Sequence, residues 1–482
     1  MKKIKIFLVL LLMIIPTLVY AVPEKPPGDK PENEPPENNN VNPSYNGKTV
    51  FTEDTTESDK EYTTTEDTTN ALLVSGGTST INNCTITKSG SENSEIADFY
   101  GTNAAVLTYS NAILNINKCE INTNGTYANG VFAYGNGRIN INNSQIMTTA
   151  NNSGGLMVTG GGILNANNCI VKTTGNSSAA IRSDRGGGTL TVNGGTYETN
   201  GMGSPAVYST ASIIVNNASL TSTSAEGLVV EGANSITLNN VKVTDTNNTL
   251  NGNSETYKNI FLYQSMSGDA KEGTATFTAN NSTFTTNKGD TIFITNTTAI
   301  INLENNSFIN NDGNFLRIQK GKWGNSGSNG GNVTLNMKNQ KVTGNIIVDD
   351  ISTLDINMDG NSLLLGSINN QNNAKQINLA ISSDSTLSLT NDTYVTSLTN
   401  GIANNTNIYS NGKYKLYVNG EEITINQETY KYQSETTNNE ITLPSPKAKN
   451  NYVYYIVIFI LIILLLGRII ISKKKVRHKS NI

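Results

Sequence analysis

A cluster of charged residues in the segment IRSDRGGGTL is the best candidate for binding chemistry in this sequence. It brings Arg182, Asp184 and Arg185 together, although arginine is rare in the chain. If a strand continues through the segment, Arg182 and Asp184 share a face, because side chains alternate along a strand. Tyr208 lies at the corresponding place in the next repeat. We predict that these residues form a platform for a sugar acid, since a guanidinium pairs with a carboxylate through two hydrogen bonds.

Each candidate also has a purely structural explanation. An Arg–Asp pair could simply cover the outside of a turn. Trp323, the one tryptophan of the chain, lies in the glycine-rich stretch KGKWGNSGSNGG. Its ring could stack on a sugar, or it could cap an apolar column near Phe315 and Leu316. The candidate ligand-binding residues are Arg182, Asp184, Arg185, Tyr208 and Trp323.

Catalytic and metal chemistry is restricted by the composition. The only histidine is His478, close to the carboxyl terminus. The residues before it therefore cannot provide histidine general acid–base catalysis or a Ser-His-Asp triad. The three cysteines recur singly and lack the ligand geometry of a zinc site. Calcium is possible, because residues 51–70 include seven acidic side chains, but a solvated cap strand is the favoured explanation of them. We expect no cofactor and no catalytic residue.

A repeated phrase predicts how the candidate residues are positioned. INNCTITKSG, NINKCEINTNG and NANNCIVKTTG are versions of it, and most copies follow one another at 23 to 26 residues. Three copies are longer, at 35, 41 and 33 residues, which indicates loop insertions. Each copy holds three short runs rich in β-branched and aromatic residues. Strands this short bury a core when each copy is one turn of a coil that stacks on the next.

The predicted fold is therefore all-β, a right-handed parallel β-helix of roughly twelve turns. The hand follows because crossovers between parallel strands are right-handed in nearly all cases. Asparagine suits the turns, since it tolerates the left-handed backbone region and its amide can bond to the same amide one turn away. One apolar residue per copy should stack into a continuous internal file: Leu73, Leu107, Phe132, Met157, Ile181, Val207, Val229 and Phe261.

The cysteines share one position of the repeat, where other copies have Ser, Gly or Ala. A small residue packed at an inner corner is the simplest interpretation. A disulfide between Cys84 and Cys119 is possible, because they lie on adjacent turns, although parallel side chains in register hold their Cβ atoms slightly too far apart. Cys169 is two turns from Cys119 and out of reach, and free thiols are the alternative.

Both ends of the chain contain targeting signals. Three lysines and an apolar run precede small residues at Val19 and Ala21, which is typical of a secretory signal peptide. Near the other end, YVYYIVIFILIILLLGRIIIS is long enough to span a bilayer, and the basic tail KKKVRHK after it predicts a cytoplasmic end. The domain prediction is: 1–21 signal peptide, 22–47 Pro/Glu/Asn-rich spacer, 48–70 acidic N-terminal cap region, 71–400 β-helix, 401–430 C-terminal β cap with a hairpin in YKLYVNGEEITI, 431–451 stalk, 452–472 transmembrane helix and 473–482 cytoplasmic tail.

This layout predicts a single-pass membrane protein with a large extracellular region. It also resembles a sortase sorting signal, in which an LPxTG motif precedes the apolar span. The residues at that place read LPSPK from Leu443 to Lys447, so proline and lysine replace the threonine and glycine. Attachment to a cell wall through a degenerate signal is therefore the alternative. Charged residues make up only 15% of the chain and the net charge is −4, which excludes a basic nucleic-acid binder.

From about residue 70 to 400 the chain resembles the adhesin-like, pectin-lyase-fold β-helix proteins of bacterial surfaces, in repeat period and turn composition. The resemblance implies an adhesin-like protein that binds an extracellular glycan or another ligand on a host or neighbouring cell. Pectate lyases and polygalacturonases share the fold, but the glycine-histidine-glycine motif of polygalacturonases is absent, and Asp349 and Asp350 should point to opposite faces. A polysaccharide lyase or hydrolase and a passive surface spacer are the two alternatives.

Overall fold

The computed structural model describes residues 43–250 and 256–431, and these form a parallel β-solenoid of about 15 turns. The all-β coil is confirmed, and the number of turns exceeds the roughly twelve that were predicted. One reason is that Gly47–Phe51, Thr55–Ser58 and Glu61–Thr64 already form a complete first turn. The predicted signal peptide at 1–21 and membrane span at 452–472 lie outside the described residues, within which no helix has the length and hydropathy of a membrane span.

Sheet A contains one strand from each of twelve successive turns, all parallel. Its strands are Gly47–Phe51, Asn70–Val74, Val106–Thr108, Val131–Tyr134, Leu156–Thr159, Ile181–Ser183, Val207–Ser209, Leu228–Glu231, Lys258–Tyr263, Asp290–Thr295, Leu316–Ile318 and Ile346–Val348.

Sheet B has 22 strands. Most turns contribute two consecutive strands to it, so the strands form two columns, which we call B1 and B2. Gly162–Thr173 and Gly188–Thr199 run through both columns. The other strands of column B1 are Thr55–Ser58, Thr78–Asn82, Ile113–Asn117, Arg138–Asn142, Ser212–Asn216, Ser235–Asn239, Thr274–Asn280, Thr297–Glu304, Gly331–Lys338, Thr353–Asp359, Gln376–Ile381 and Ser397–Asn400. Those of column B2 are Glu61–Thr64, Thr85–Lys88, Glu120–Thr123, Gln145–Thr148, Ser219–Ser222, Lys242–Asp245, Thr283–Thr286 and Ser307–Asn310.

Two small sheets and one helix complete the described secondary structure. Sheet C has four strands and sheet D has three. A hairpin with Asn419 and Gly420 at its tip joins the last two strands of sheet D, which are antiparallel. The strands of sheet C are Lys341–Thr343, Leu363–Gly366, Thr386–Leu389 and Ile408–Tyr409; those of sheet D are Thr393–Val395, Leu416–Val418 and Glu421–Ile423; the helix is Ile96–Tyr100.

The bend between columns B1 and B2 explains the repeated Asn-Asn phrase. Its second residue adopts the left-handed region in successive turns, with φ of 50° at Asn143, 51° at Asn168 and 73° at Gly194. Asparagine and glycine enter this region at the least energetic cost. The preceding asparagine stacks on its equivalents, and each amide donates to the carbonyl oxygen one turn earlier at 2.8–3.0 Å. The predicted ladder is confirmed along Asn82, Asn117, Asn142, Asn167, Asn193, Asn216, Asn239 and Asn280.

The cysteines follow directly after this bend, and all three are buried free thiols. The side chain at this position accepts the backbone N–H of the equivalent residue one turn earlier. The Sγ atom of Cys119 accepts from Cys84 at 3.3 Å, and Oγ of Ser144 accepts from Cys119 at 3.0 Å. Burial raises the pKa of both Cys119 and Cys169 to about 11. The Sγ atom of Cys119 thus faces the backbone N–H of Cys84 and not the Sγ atom of Cys84, and the possible disulfide between them is not formed in this structure.

The predicted internal file is wrong by one residue at most positions of sheet A. The strand register pairs Leu107 with Phe132, Phe132 with Met157 and Met157 with Arg182, so these side chains point away from the core. Val229 and Phe261 continue the same outward file. The inward file consists of their neighbours, because side chains alternate. It comprises Leu72, Val106, Val131, Leu156, Ile181, Val207, Leu228, Ile260, Ile292, Leu316 and Ile346.

The outer face of sheet A is covered in its early turns. Leu73, Ala104, Leu107, Phe132 and Met157 form a second apolar cluster there, against which Tyr45, Tyr109 and Tyr134 pack. The short helix belongs to the insertion of the 35-residue copy, and the ring of its last residue, Tyr100, lies 5.4 Å from that of Tyr134. The chain leaves the helix at Gly101, whose φ is 73° and where a Cβ atom would meet the ring of Phe132 at 2.8 Å.

Candidate functional site

A cavity of about 430 Å³ opens on the outer face of sheet A, beyond the apolar cluster. Four of the five candidate residues line it: Arg182, Asp184, Tyr208 and Trp323. The fifth, Arg185, lies beside it, because its Nε atom is 2.7 Å from Oδ1 of Asp269, which is a lining residue. The outward file of sheet A supplies Arg182, Tyr208, Val229 and Phe261 in order from consecutive turns. The structure therefore brings the sequence candidates to one place.

The insertions of two long copies line this cavity, and the insertion of the third contacts one of its lining residues. The 35-residue copy contributes Asp98, which lies 3.1 Å from Arg182. The 41-residue copy contributes Asp269, which pairs with Arg185. The third contributes Trp323, whose ring lies 5.7 Å from that of Tyr263. In solenoid proteins such insertions commonly form the binding face. Asp98 and Asp269 were not predicted as site residues, and only the irregular repeat spacing indicated their segments.

Arg182 lies between two carboxylates. Its Nη2 atom is 2.9 Å from Oδ2 of Asp184 and 3.1 Å from Oδ2 of Asp98, and its side chain is only 15% exposed. Asn129 donates to the other oxygen of Asp98, and the backbone N–H of Arg185 donates to the other oxygen of Asp184. Both carboxyl groups are buried, and the single guanidinium between them offsets only part of the cost of burying two negative charges. Burial therefore raises the pKa of Asp184 to about 7 and also raises the pKa of Asp98.

Glu231 is a second buried acid at the cavity, and it was missed in the sequence. Its carboxylate accepts hydrogen bonds from the hydroxyl groups of Tyr208, Tyr263 and Ser265. The residue is 1% exposed, and burial raises its pKa. The two tyrosine oxygens lie 3.3 Å apart, so both rings are held beside one acid. The sequence offered little reason to single out Glu231, because one glutamate in GLVVEG does not indicate that two tyrosines from other turns converge on it.

Aromatic rings form one wall of the cavity. Phe261 and Tyr263 stack at 4.4 Å with an interplanar angle of 11°, and Trp323 lies against Tyr263 at an angle of 48°. Phe315 and Leu316, which Trp323 was alternatively expected to cap, lie in the main core. Asn329 holds the Trp323 loop by donating to the carbonyl oxygen of Trp323 at 3.0 Å. The partly exposed indole therefore belongs to the aromatic wall.

Acidic groups outnumber basic groups around the cavity. The lining residues and their ion-pair partners include five carboxylates, those of Asp98, Asp184, Glu226, Glu231 and Asp269, against the three basic groups of Arg182, Arg185 and Lys258. A carboxylate ligand would thus meet a guanidinium that already contacts two carboxylates. The predicted platform for a sugar acid is not favoured by this arrangement.

The fold and the cavity together define a parallel β-solenoid with a ligand-sized cavity on one outer face. No family model, no curated protein and no solved structure matches the chain. Within residues 43–250 and 256–431, no group of three or more His, Cys, Asp or Glu side chains is arranged to hold a metal ion.

Proposed function

We propose that this chain is a cell-surface, adhesin-like β-solenoid that binds glycans in the cavity on sheet A. The observation that supports this most directly is that two insertions from distant copies of the repeat line that one cavity, while a third contacts Arg182 in its wall. Its volume of about 430 Å³ falls within the ~300–1,000 Å³ typical of ligand sites. Rings of Tyr208, Tyr263 and Trp323 beside hydroxyl and carboxylate groups suit a sugar, which offers apolar ring faces and polar edges.

The location belongs to the same proposal. The amino-terminal segment at 1–21 supports export, and the apolar segment at 452–472 with its basic tail supports a single-pass membrane anchor. The solenoid would then project from the cell, and its partner would be a glycan on a host or neighbouring cell. Attachment to the cell wall through the degenerate LPSPK sequence is the alternative.

A polysaccharide hydrolase is a second candidate, favoured by one observation. Asp184 lines the cavity with a pKa of about 7, so it can hold a proton near neutral pH as a general acid does. Glu231 and Asp269 line the same cavity and supply further carboxylates. A binding protein would retain a polysaccharide unchanged, whereas a hydrolase would release new reducing ends and a lyase would release unsaturated ends.

Retention of the soluble region 41–445 on immobilised neutral, acidic and amine-bearing polysaccharides tests the proposal. Trp323→Ala should weaken retention by about two- to tenfold, because loss of one aromatic contact is worth roughly 0.5–1.5 kcal/mol. Tyr394→Ala is the matched control: Tyr394 stacks on Tyr417 at 4.7 Å on sheet D, far from the cavity in the repeat order. Absence of retention on every polysaccharide, or an equal loss in both variants, would rule out glycan binding here.

A further inference from the structure

We infer that the ligand of this cavity is positively charged, and that it is a saccharide with free amino groups. This inference rests on the proposed glycan-binding function and names the class of glycan. It begins from the excess of acidic groups and from how the basic groups are held. Arg182 contacts Asp98 and Asp184, Arg185 contacts Asp269, and the Nζ atom of Lys258 lies 3.0 Å from Glu226.

Glu231 is the acid left without a basic partner. The donors to its carboxylate are the hydroxyl groups of Tyr208, Tyr263 and Ser265, and no ion pair to Glu231 occurs in the described part of the chain. Arg182 is shared between Asp98 and Asp184, so one of these two acids also lacks a cation of its own. A cationic ligand would pair with acids for which the protein supplies no cation, because burial favours the protonated acid until a nearby cation favours the ionised form.

The aromatic wall favours the same ligand charge. A cation over an aromatic ring is attracted by the negative face of the ring. The protein already uses this interaction here, since Nζ of Lys258 lies 4.5 Å from the ring centre of Phe261 and 5.5 Å from that of Phe293. Tyr263 and Trp323 extend the wall into the cavity. An ammonium group of the ligand would find both an aromatic ring and the Glu231 carboxylate there.

The size of the cavity separates a saccharide from a simple cation. A volume of about 430 Å³ suits a ligand with several ring atoms rather than an ammonium or metal ion alone. Hydroxyl groups of Ser265 and Ser267 and the carboxylate of Asp269 line the same space and match sugar hydroxyl groups. Glucosamine oligomers combine a protonated amine with such hydroxyl groups.

Calorimetric titration of the region 41–445 near neutral pH tests this inference. The probes are a glucosamine hexamer, an N-acetylglucosamine hexamer and an oligogalacturonate of the same length. The glucosamine hexamer should bind at least about tenfold more tightly than its acetylated form, and the oligogalacturonate should bind weakest. Added salt should reduce the preference, because ion pairing is screened.

Glu231→Gln should reduce the preference for the glucosamine hexamer over its acetylated form about tenfold. The glutamine still provides one acceptor oxygen for the hydroxyl donors. Glu198→Gln is the control, since Glu198 forms an exposed pair with Lys172 on column B2. Equal binding of both hexamers would overturn the inference and leave glycan binding intact, as would preference for the oligogalacturonate. Equal binding of free spermidine would overturn the saccharide class. Binding of no probe and no polysaccharide would refute the proposed function itself.

Discussion

Arg182 marks the point at which the outer face of sheet A changes from apolar to charged. The turn before it places Met157 at the same position, and the turn after it places Tyr208 there. A lone arginine in that file would have to give up water for apolar neighbours, which is unfavourable for a charge. Asp98 and Asp184 make its burial possible by contacting the same Nη2 atom. The two ion pairs of Arg182, with Asp98 and with Asp184, thus have a structural role, and Arg182 and Asp184 also line the cavity.

Replacing Arg182 by alanine should therefore destabilise the solenoid strongly. The substitution leaves two buried carboxylates without their cation, and removal of one partner from a buried ion pair typically costs about 3–5 kcal/mol. Chemical denaturation of the region 41–445 measures the loss. Lys172→Ala is the control, because Lys172 and Glu198 are both 42% exposed and exposed pairs contribute about 1 kcal/mol or less. Equal losses in the two variants would contradict the structural role of Arg182.

At the scale of elements, the bend between columns B1 and B2 depends on one left-handed residue in each turn. Asn168 has a φ of 51°, and Gly194 takes its place in the next turn. Asn168→Gly should be nearly neutral, whereas Asn168→Val should cost about 1–2 kcal/mol, because the left-handed region is strained for a β-branched side chain. Melting temperatures of the two variants measure the difference. Thr191→Val, in an extended strand of the next turn, should have little effect; a similar loss there would show that valine itself, and not φ, is responsible.

The strands and bends could be predicted from the sequence because each is repeated many times. The register of sheet A could not, for a physical reason visible in segments such as AVLTYS and GLMVTG. There both faces of the strand are apolar, because an insertion covers the outer face over Leu107, Phe132 and Met157. Alternation then fails to distinguish inward from outward residues. Asp98 and Asp269 could not be predicted as site residues either. Asp269 is 84 residues from its partner Arg185, and Asp98 is similarly far from Arg182, so no local sequence pattern indicates these contacts.

At the scale of the whole molecule, the solenoid buries carboxylates in several separate turns. Burial raises the pKa of Asp184 to about 7 and that of Asp245 to about 8, and it also raises those of Asp98 and Glu231. Asp245 is 1% exposed; its Oδ1 atom accepts the N–H of Asn247 at 2.7 Å, while its Oδ2 atom has no hydrogen-bond partner. Between about pH 4 and pH 7 the folded state therefore holds protons on Asp184 and Asp245 that these two acids would release in the unfolded chain.

This difference predicts that the protein becomes less stable as the pH rises from about 4 to about 8. In the folded state Asp184 keeps its proton up to about pH 7 and Asp245 up to about pH 8, whereas both are ionised above about pH 4 in the unfolded state, so folding takes up protons. Lys88, with a pKa lowered to about 8, acts in the opposite direction, but only above that window. The melting temperature should be several degrees higher near pH 5 than near pH 8.

Asp245→Asn isolates one contribution to this slope. Asparagine keeps an oxygen for the N–H of Asn247 and has no charge to bury, so the variant should be more stable than the parent near pH 8, by roughly 1–3 kcal/mol, and closer to it near pH 5. Asp350→Asn is the control, because Asp350 is exposed beside Lys320 and its pKa is lowered rather than raised. Identical melting temperatures at both pH values in the parent protein, or a stabilisation of equal size in both variants, would show that the buried acids do not set the pH dependence of folding.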